Sequence, residues 1–458
     1  MLSQEENDLL TRTGPGTPCG ETLRRYWQPT ALSEELPPDG PPLPVRLLGE
    51  DLVLFRDSLG RPGLLGIHCS HRGADLSYGR LEDGGLRGIY HGWLYDINGR
   101  CLEQPGEPAF RWTDSGAGSS PESSGSAAQA TGGSFREKIK HRAYPCTEKN
   151  GLILSYLGPG EPPLLPDYEF FSVPEAHASV SKMFSECNFL QGNEGNIDLL
   201  HTSFLHYMKR DLASLPEAER RAAQERYAEP ETLTGRGPSP GMERCEAQAL
   251  PYGIRNAKIR TAGDGEEYVR LATFLLPNLT VIPGGSINWH VPIDDTHHWR
   301  FGLNFNRERP INRRGSSWAP APEYKPHPDG SNRYLQDREL MAEQSYSGIP
   351  QIYFVAQDLC ATESAGPIQD RTQEHLVAND IAITAARTLL RKAIQDVQEG
   401  KDPPHVVRDP GLNHFPEIIS SFGMLPRGVS WKDYCAQLVA EGRSWQTRGQ
   451  ATTDSRTL

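Results

Sequence analysis

The sequence predicts an α+β protein in two parts, an all-β N-terminal sandwich or small barrel followed by a larger mixed domain. Three observations carry this. A length of 458 residues allows two or more domains, each with its own core. From about Val45 to Leu157, short apolar runs are separated by Gly, Pro and Asp turns, the pattern of short antiparallel strands. Beyond Pro163, strand-like runs are mixed with segments of helical periodicity.

In the first part the predicted strands are VRLLG, DLVLFRD, LGRPGLLGIHC, GLRGIYHGWLYD and GLILSYLG. Between the last two, residues 113–134 contain no Leu, Ile, Val or aromatic side chain and are rich in Ser, Gly and Ala, which predicts a flexible surface loop. In the second part YVRLATFLLPNLTVIPGG and SINWHVPI read as strands. The clearest helix lies between Thr372 and Val397, where Ile383, Ala386, Leu390, Ile394 and Val397 recur at three- and four-residue spacing ahead of Gly400. Lys209 to Gln248 is charged and interrupted by Pro, which predicts a surface excursion.

Composition narrows the function. There are 47 basic against 59 acidic side chains and no cluster of Lys and Arg interleaved with aromatics, so no nucleic-acid partner is expected. The opening MLSQEENDLL lacks a secretory signal's basic and apolar regions, and no run approaches the length of a membrane span, so a soluble cytoplasmic protein without membrane contact is expected. The eight cysteines (Cys19, Cys69, Cys101, Cys146, Cys187, Cys245, Cys360, Cys435) are scattered, unlike a disulfide scaffold, so reduced thiols and a few metal ligands are expected.

Two constellations carry chemistry. The first is Cys69-Ser70-His71-Arg72-Gly73 with Gly88-Ile89-Tyr90-His91-Gly92-Trp93. Paired C-x-H and C-x-x-H strings let two thiolates hold one iron of a [2Fe-2S] cluster while two neutral imidazoles hold the other. Cys69, His71 and His91 fit that pattern, but Gly88 occupies the place of the second cysteine and has no side chain to offer. A cluster held weakly or not at all is therefore predicted. Cys101, thirteen residues past Gly88, is the nearby candidate for a substitute, though a strand and a turn intervene.

The second constellation is ECNFLQGNEGNIDLLHTSFLHY, with Glu194, Asp198, His201 and His206 in the pattern E-x3-D-x2-H-x4-H. Asp198 and His201 are three apart and would share a helical face, whereas both imidazoles reach one metal only if the helix bends or breaks before His206. Two imidazoles and a carboxylate hold Fe(II) while leaving positions open for O2 and substrate. The third ligand must come from elsewhere, and Asp358 is the best candidate, with Glu363 and Asp370 as competitors.

With these strings, and with YHGWLYDINGRCLEQPGEP, KIKHRAYPC, GLILSYLGP, LQGNEGNID and QDLCATESAGPIQDRTQEHL, the chain resembles the alpha subunits of Rieske non-haem iron aromatic-ring oxygenases, in the phthalate 4,5-dioxygenase-like branch. The resemblance implies a Rieske [2Fe-2S] sandwich domain over 25–157 and a helix-grip (START-like) catalytic domain over 158–458, joined by residues 1–24. It implies that Cys69, His71 and His91 are cluster ligands, that His201, His206 and Asp358 are ligands of a mononuclear Fe(II), and that Asp198 bridges the imidazoles of His91 and His201 between subunits of a homotrimer. It also implies O2 and an aromatic substrate, with electrons from NAD(P)H through a separate flavin and iron-sulfur reductase. The outcome would be hydroxylation, cis-dihydroxylation or O-demethylation. Lys209 and Arg210 follow His206 closely and are candidates to meet an acidic substrate, or equally are solvated surface charges. A non-catalytic, iron-binding or oligomer-forming relative that has lost its cluster through Gly88 is the alternative.

Overall fold

The computed structural model describes residues 1–106, 135–208, 217, 243–261, 265–283, 286–311, 319–443 and 445. The predicted loop 113–134 and the pair Lys209 and Arg210 lie outside the described residues. The chain divides into two compact units, one of Met1–Leu32, Arg46–Glu50 and Glu148–Leu458, the other of Ser33–Val45 and Asp51–Thr147. The strand Trp27–Leu32 pairs antiparallel with Leu152–Tyr156, so both ends of the region expected as the first domain belong by their contacts to the larger unit.

The smaller unit is all-β, with two four-stranded sheets. One runs Leu43–Leu47, Glu50–Arg56, Pro62–Gly66, Ala143–Tyr144, the other Arg80–Glu82, Gly85–Arg87, Leu94–Tyr95, Cys101–Glu103. Val53, Phe55, Leu65, Leu76, Leu86, Trp93 and Tyr95 form its core, with Cys69 and Cys101 among them. GLRGIYHGWLYD is not one strand, as expected, but two separated by a tight turn. Gly92, at φ +72°, takes the left-handed conformation that glycine favours, and its N–H donates to the Gly88 carbonyl (3.1 Å) while the Gly88 N–H donates to that of Trp93 (2.9 Å). The turn brings Gly88 to His91 out of the ladder as a loop.

The larger unit is built on an antiparallel sheet in the order Ala178–Ser185, His298–Phe305, Ile287–Pro292, Leu279–Val281, Glu267–Leu275, Gly253–Thr261, Glu243–Leu250, with Ser421–Met424 added on Glu267–Leu275. The strand Glu243–Leu250 reaches back into the expected excursion Lys209 to Gln248, of which residues 209–216 and 218–242 lie outside the described residues. The final residues of that excursion, Glu243 to Gln248, are sheet, paired residue for residue with Gly253–Thr261. Side chains alternate across a strand, and one face of the sheet carries the polar groups that dock the helix Phe189–Ile197. Asn256 Nδ2 donates to the Ile197 carbonyl (2.6 Å), Asn288 Nδ2 to Asn196 Oδ1 (2.6 Å), and Thr280 Oγ1 to Asn193 Oδ1 (3.1 Å). The predicted helix runs Ile381–Gln398, starting later than expected because a short 3-10 turn, Ala378–Asp380, occupies its approach. Ala386, Leu390, Ile394 and Val397 are buried as their spacing requires.

Two buried histidines in this unit give the fold a pH dependence. His298 Nδ1 donates to the Cys187 carbonyl (2.8 Å), and His405 Nδ1 to that of Leu276 (2.9 Å). Burial pulls each down to about 4. Unfolded imidazoles take up protons from about pH 6.5 downward. As pH falls from about 6.5 to about 4 the unfolded chain therefore binds protons that the native one does not, and stability drops by up to about 3 kcal/mol per histidine. Urea unfolding at pH 7, 5.5 and 4 is expected to show that loss, and a midpoint flat across the window would contradict it.

Candidate metal centre

The helix Phe189–Ile197 ends at Asp198 because that side chain takes over the backbone donors that follow. Asp198 Oδ1 accepts from the N–H of Leu200 (2.7 Å) and of His201 (3.3 Å), turning the chain into the 3-10 turn Leu200–Ser203. Asp198 and His201 thus do not share a helical face. The expected break falls before His201 and lets its imidazole and that of His206 converge.

The opposing wall is the helix Phe354–Glu363, which carries Asp358. Asp358 Oδ1 lies 3.0 Å from His206 Nε2 and 3.6 Å from His201 Nε2, and one ligand atom from each of the three lies within 4.8 Å of the others. No other such group of three occurs among the described residues. Burial alone would raise the Asp358 carboxyl, but His206, His201 and more weakly Arg300 hold it down, to about 2. The competitors are engaged elsewhere. Glu363 accepts from Tyr334 Oη (2.6 Å) and the Glu186 N–H (2.9 Å), and Asp370 from Thr372 (2.6 Å to Oγ1).

Both imidazoles are oriented from behind. His206 is buried, stacks on Phe354 with centroids 4.0 Å apart, and its Nδ1 donates to Gln357 Oε1 (2.7 Å), which leaves Nε2 as a lone-pair donor facing Asp358. Gln357, fully buried, is itself fixed by its Nε2 donating to the Ile349 carbonyl (3.0 Å). His201 turns Nδ1 toward Asp198 Oδ2 (3.8 Å). Gln357→Leu is expected to weaken Fe(II) binding by about 10–100-fold while leaving the fold intact, read by competition with a chelator. Unchanged affinity would remove Gln357 from this role.

A cavity of about 260 Å³ opens on the centre, lined among others by Met183, His201, His290, Arg300, Val355 and Asp358. Glu194, the first residue of the sequence pattern, also lines it but is tied up by Arg371 and Arg387 (2.8 and 2.6 Å). Gln357 and Arg300 escaped the sequence reading. Gln357 could have been found from its place beside Asp358, whereas Arg300 sits in a strand, HWRFGLNF, with no local signal.

In the smaller unit Cys69 is buried, with Sγ 3.2 Å from Tyr95 Oη. The rings of His71 and His91 lie 4.3 Å apart at 74°, and His71 stacks on Trp93 at 4.6 Å. The two loops therefore bring the three expected side chains into one neighbourhood. Gly88 has no positive φ, and a Cβ built on it would stand 3.9 Å from Cys69 Sγ, with Leu76 Cδ2 at 3.2 Å needing to give slightly. The backbone is thus shaped for a cysteine that the chain lacks. Cys101 shares the core but its Sγ donates to the Glu103 carbonyl (3.4 Å), and burial raises its thiol. On protein ligands alone the [2Fe-2S] site is one thiolate short. Gly88→Cys is expected to raise bound sulfide and Rieske-type visible absorbance several-fold, and no gain would contradict this geometry.

The comparisons identify the family. Residues 26–114 match the Rieske [2Fe-2S] domain family and residues 155–454 the family described as LigXa C-terminal domain like. The chain is 33% identical to the phthalate 4,5-dioxygenase oxygenase subunit of Pseudomonas putida, covering 96% of each chain. It is 32% identical to the 5,5'-dehydrodivanillate O-demethylase oxygenase subunit of a Sphingobium strain, covering 90% of this chain and 85% of that one. Among solved structures, a carbazole-bound oxygenase–ferredoxin complex of carbazole 1,9a-dioxygenase shares the fold, with TM-score 0.51, 18% identity and coverage of 90% and 99%.

The chain belongs to the Rieske non-haem iron oxygenases. It is an oxygenase alpha subunit, an enzyme of the ring-hydroxylating and demethylating class, a class whose cofactors are a Rieske [2Fe-2S] cluster and a mononuclear iron. The alternative of a non-catalytic relative is not the one the comparisons support. Oxygenase subunits of this family work with a separate electron-transfer partner. Among the described residues no helix is long and apolar enough to cross a membrane.

Proposed function

We propose that this chain is the terminal oxygenase of a system that hydroxylates, cis-dihydroxylates or O-demethylates an aromatic acid, with His201, His206 and Asp358 holding Fe(II). The observation that carries the reading is the convergence of those three ligand atoms within 4.8 Å, beside a cavity. The donor set suits iron, since two neutral imidazoles and one carboxylate leave a single positive charge and open positions. When bound, iron supplies the O2 chemistry.

The chain's own residues do the rest. Asp358 stays ionised through the neutral range, Gln357 holds His206 in the tautomer whose Nε2 carries the lone pair, and the Asp198 carboxylate faces His201 Nδ1. In this reading Cys69, His71 and His91 are the protein ligands of the cluster, and Asp198 links His201 to the partner subunit's His91 in a homotrimer. No electron-transfer step is assigned, because Gly88 leaves that site incomplete. Electrons come from NAD(P)H through a separate flavin and iron-sulfur reductase, and the protein works in the cytoplasm. The acidic substrates in the names of two relatives, phthalate and dehydrodivanillate, support the substrate class.

The test is NADH-dependent O2 uptake with a matched reductase over a panel of aromatic acids, run on the wild type and on Gly88→Cys with product analysis by mass spectrometry. Oxygenated or demethylated product is expected from Gly88→Cys, and from the wild type only in proportion to the little cluster it holds. Iron-loaded protein of both kinds that forms no product across the panel would overturn the reading.

A further inference from the structure

Arg300 is a half-buried cation with two unused donors beside the metal centre. It lies on His298–Phe305, in register with His290 on one neighbouring strand and Met183 on the other, and all three line the cavity of about 260 Å³ together with Asp358. Among the described lining residues it is the single Lys or Arg. Its Nε donates to Asn288 Oδ1 (3.0 Å), and Asn288 is held by Asn196 (2.6 Å) on the docked helix. Neither Nη group has a hydrogen-bond or ion-pair partner among the described residues, and neither is sealed off from the cavity as a buried orphan. The guanidinium plane is thus fixed at one edge, while the fork of Nη1 and Nη2, the geometry that grips a carboxylate with two parallel bonds, is left open.

We infer that Arg300 anchors the carboxylate of a single-ring aromatic monocarboxylate in this cavity. The inference deepens the aromatic-acid reading above and rests on it. One cation neutralises one carboxylate. The remaining charged groups of the wall are carboxylates, Asp358 and Asp198 at the metal centre and Glu194 and Glu374 in ion pairs, so a second substrate carboxylate would enter unpaired and be repelled. A volume of about 260 Å³ lies at the lower edge of small-molecule sites, which favours one ring over two. His201 also borders a second cavity of about 420 Å³, but Asp358 and Arg300 do not line that one.

The experiment is calorimetric binding of benzoate, benzamide and phthalate to the full-length Fe(II)-loaded protein without O2, for the wild type, Arg300→Gln and Arg300→Lys, with iron counted in each. The wild type is expected to bind benzoate about tenfold or more tighter than benzamide and tighter than phthalate. Arg300→Gln should abolish the benzoate preference at unchanged iron content, and Arg300→Lys, which keeps the charge but not the fork, should retain part of it. Equal binding of benzoate and benzamide by the wild type, tighter binding of phthalate, or an intact benzoate preference in Arg300→Gln would each overturn the inference. Because the acid–amide comparison is made on the wild type, a variant that fails to fold does not rescue the idea. A wild type that takes up no iron would instead count against the metal centre itself.

Discussion

Asp358→Ala is expected to strip the larger unit of its iron, from about one per chain to less than a tenth, with product formation falling in step. Asp358 is the single anion of the three converging ligands, and it lies against both imidazoles, 3.0 Å from His206 Nε2 and 3.6 Å from His201 Nε2. Removing it leaves two neutral nitrogen donors and a doubly charged cation without a counter-charge, a far weaker site than the full set. The loss should be specific. His206 keeps its hydrogen bond to Gln357 and its stacking on Phe354, and the helix Phe354–Glu363 loses no cap or core contact that Asp358 supplies. Iron counts should therefore collapse while the metal-free thermal midpoint shifts by no more than a few degrees. Stoichiometric iron in Asp358→Ala would remove it from the ligand set, and His201→Ala serves as the independent check.

Glu194→Ala is expected to cost about 3–5 kcal/mol of stability. Its carboxylate is buried and receives Arg371 (2.8 Å), which is fully buried, and Arg387 (2.6 Å), which also pairs with Glu374 (2.5 Å). Arg371 reaches Asn7 as well (3.2 Å), so one network ties the N-terminal helix, the helix Phe189–Ile197 and the long helix Ile381–Gln398 together. Burial would raise the Glu194 carboxyl, yet Arg371 and Arg387 hold it below the ordinary range. Without it, two buried guanidiniums face one remaining carboxylate, and the unpaired charge, more than the lost attraction, destabilises the fold. Glu194→Gln, which keeps hydrogen-bonding capacity, should cost less. Chemical unfolding measures both, and a cost of less than about 1 kcal/mol for Glu194→Ala would contradict the account.

The sequence pattern was most legible where a residue's chemistry and its neighbours in the chain suffice. Cys69, His71, His91, His201 and His206 lie in short strings, and the structure brings each string together within one or two loops. Asp358 was reachable as a carboxylate wanted for the third position, and it was the family resemblance that set it above Glu363 and Asp370. Glu194 was legible as part of the pattern but not in its role, since its partners Arg371 and Arg387 are nearly two hundred residues away. Arg300 was illegible for the same reason, because its meaning comes from the strands beside it. The strand in GLRGIYHGWLYD was overread where two glycines close a turn, and the last stretch before Gln248 was underread because pairing with Gly253–Thr261, not composition, makes it sheet. Local chemistry is written in the string, whereas pairing across the sheet is decided by packing.

The most direct test of the central claim, a mononuclear iron centre on His201, His206 and Asp358 next to a cluster site short of one ligand, is an iron and acid-labile sulfide count with reduced-state EPR on anaerobically purified protein, for the wild type, Asp358→Ala and Gly88→Cys. About one iron per chain with little sulfide is expected in the wild type, its loss in Asp358→Ala, and about two further irons and two sulfides with a Rieske signal in Gly88→Cys. Iron that survives Asp358→Ala, or a full Rieske signal in the wild type with no gain in Gly88→Cys, would contradict the claim.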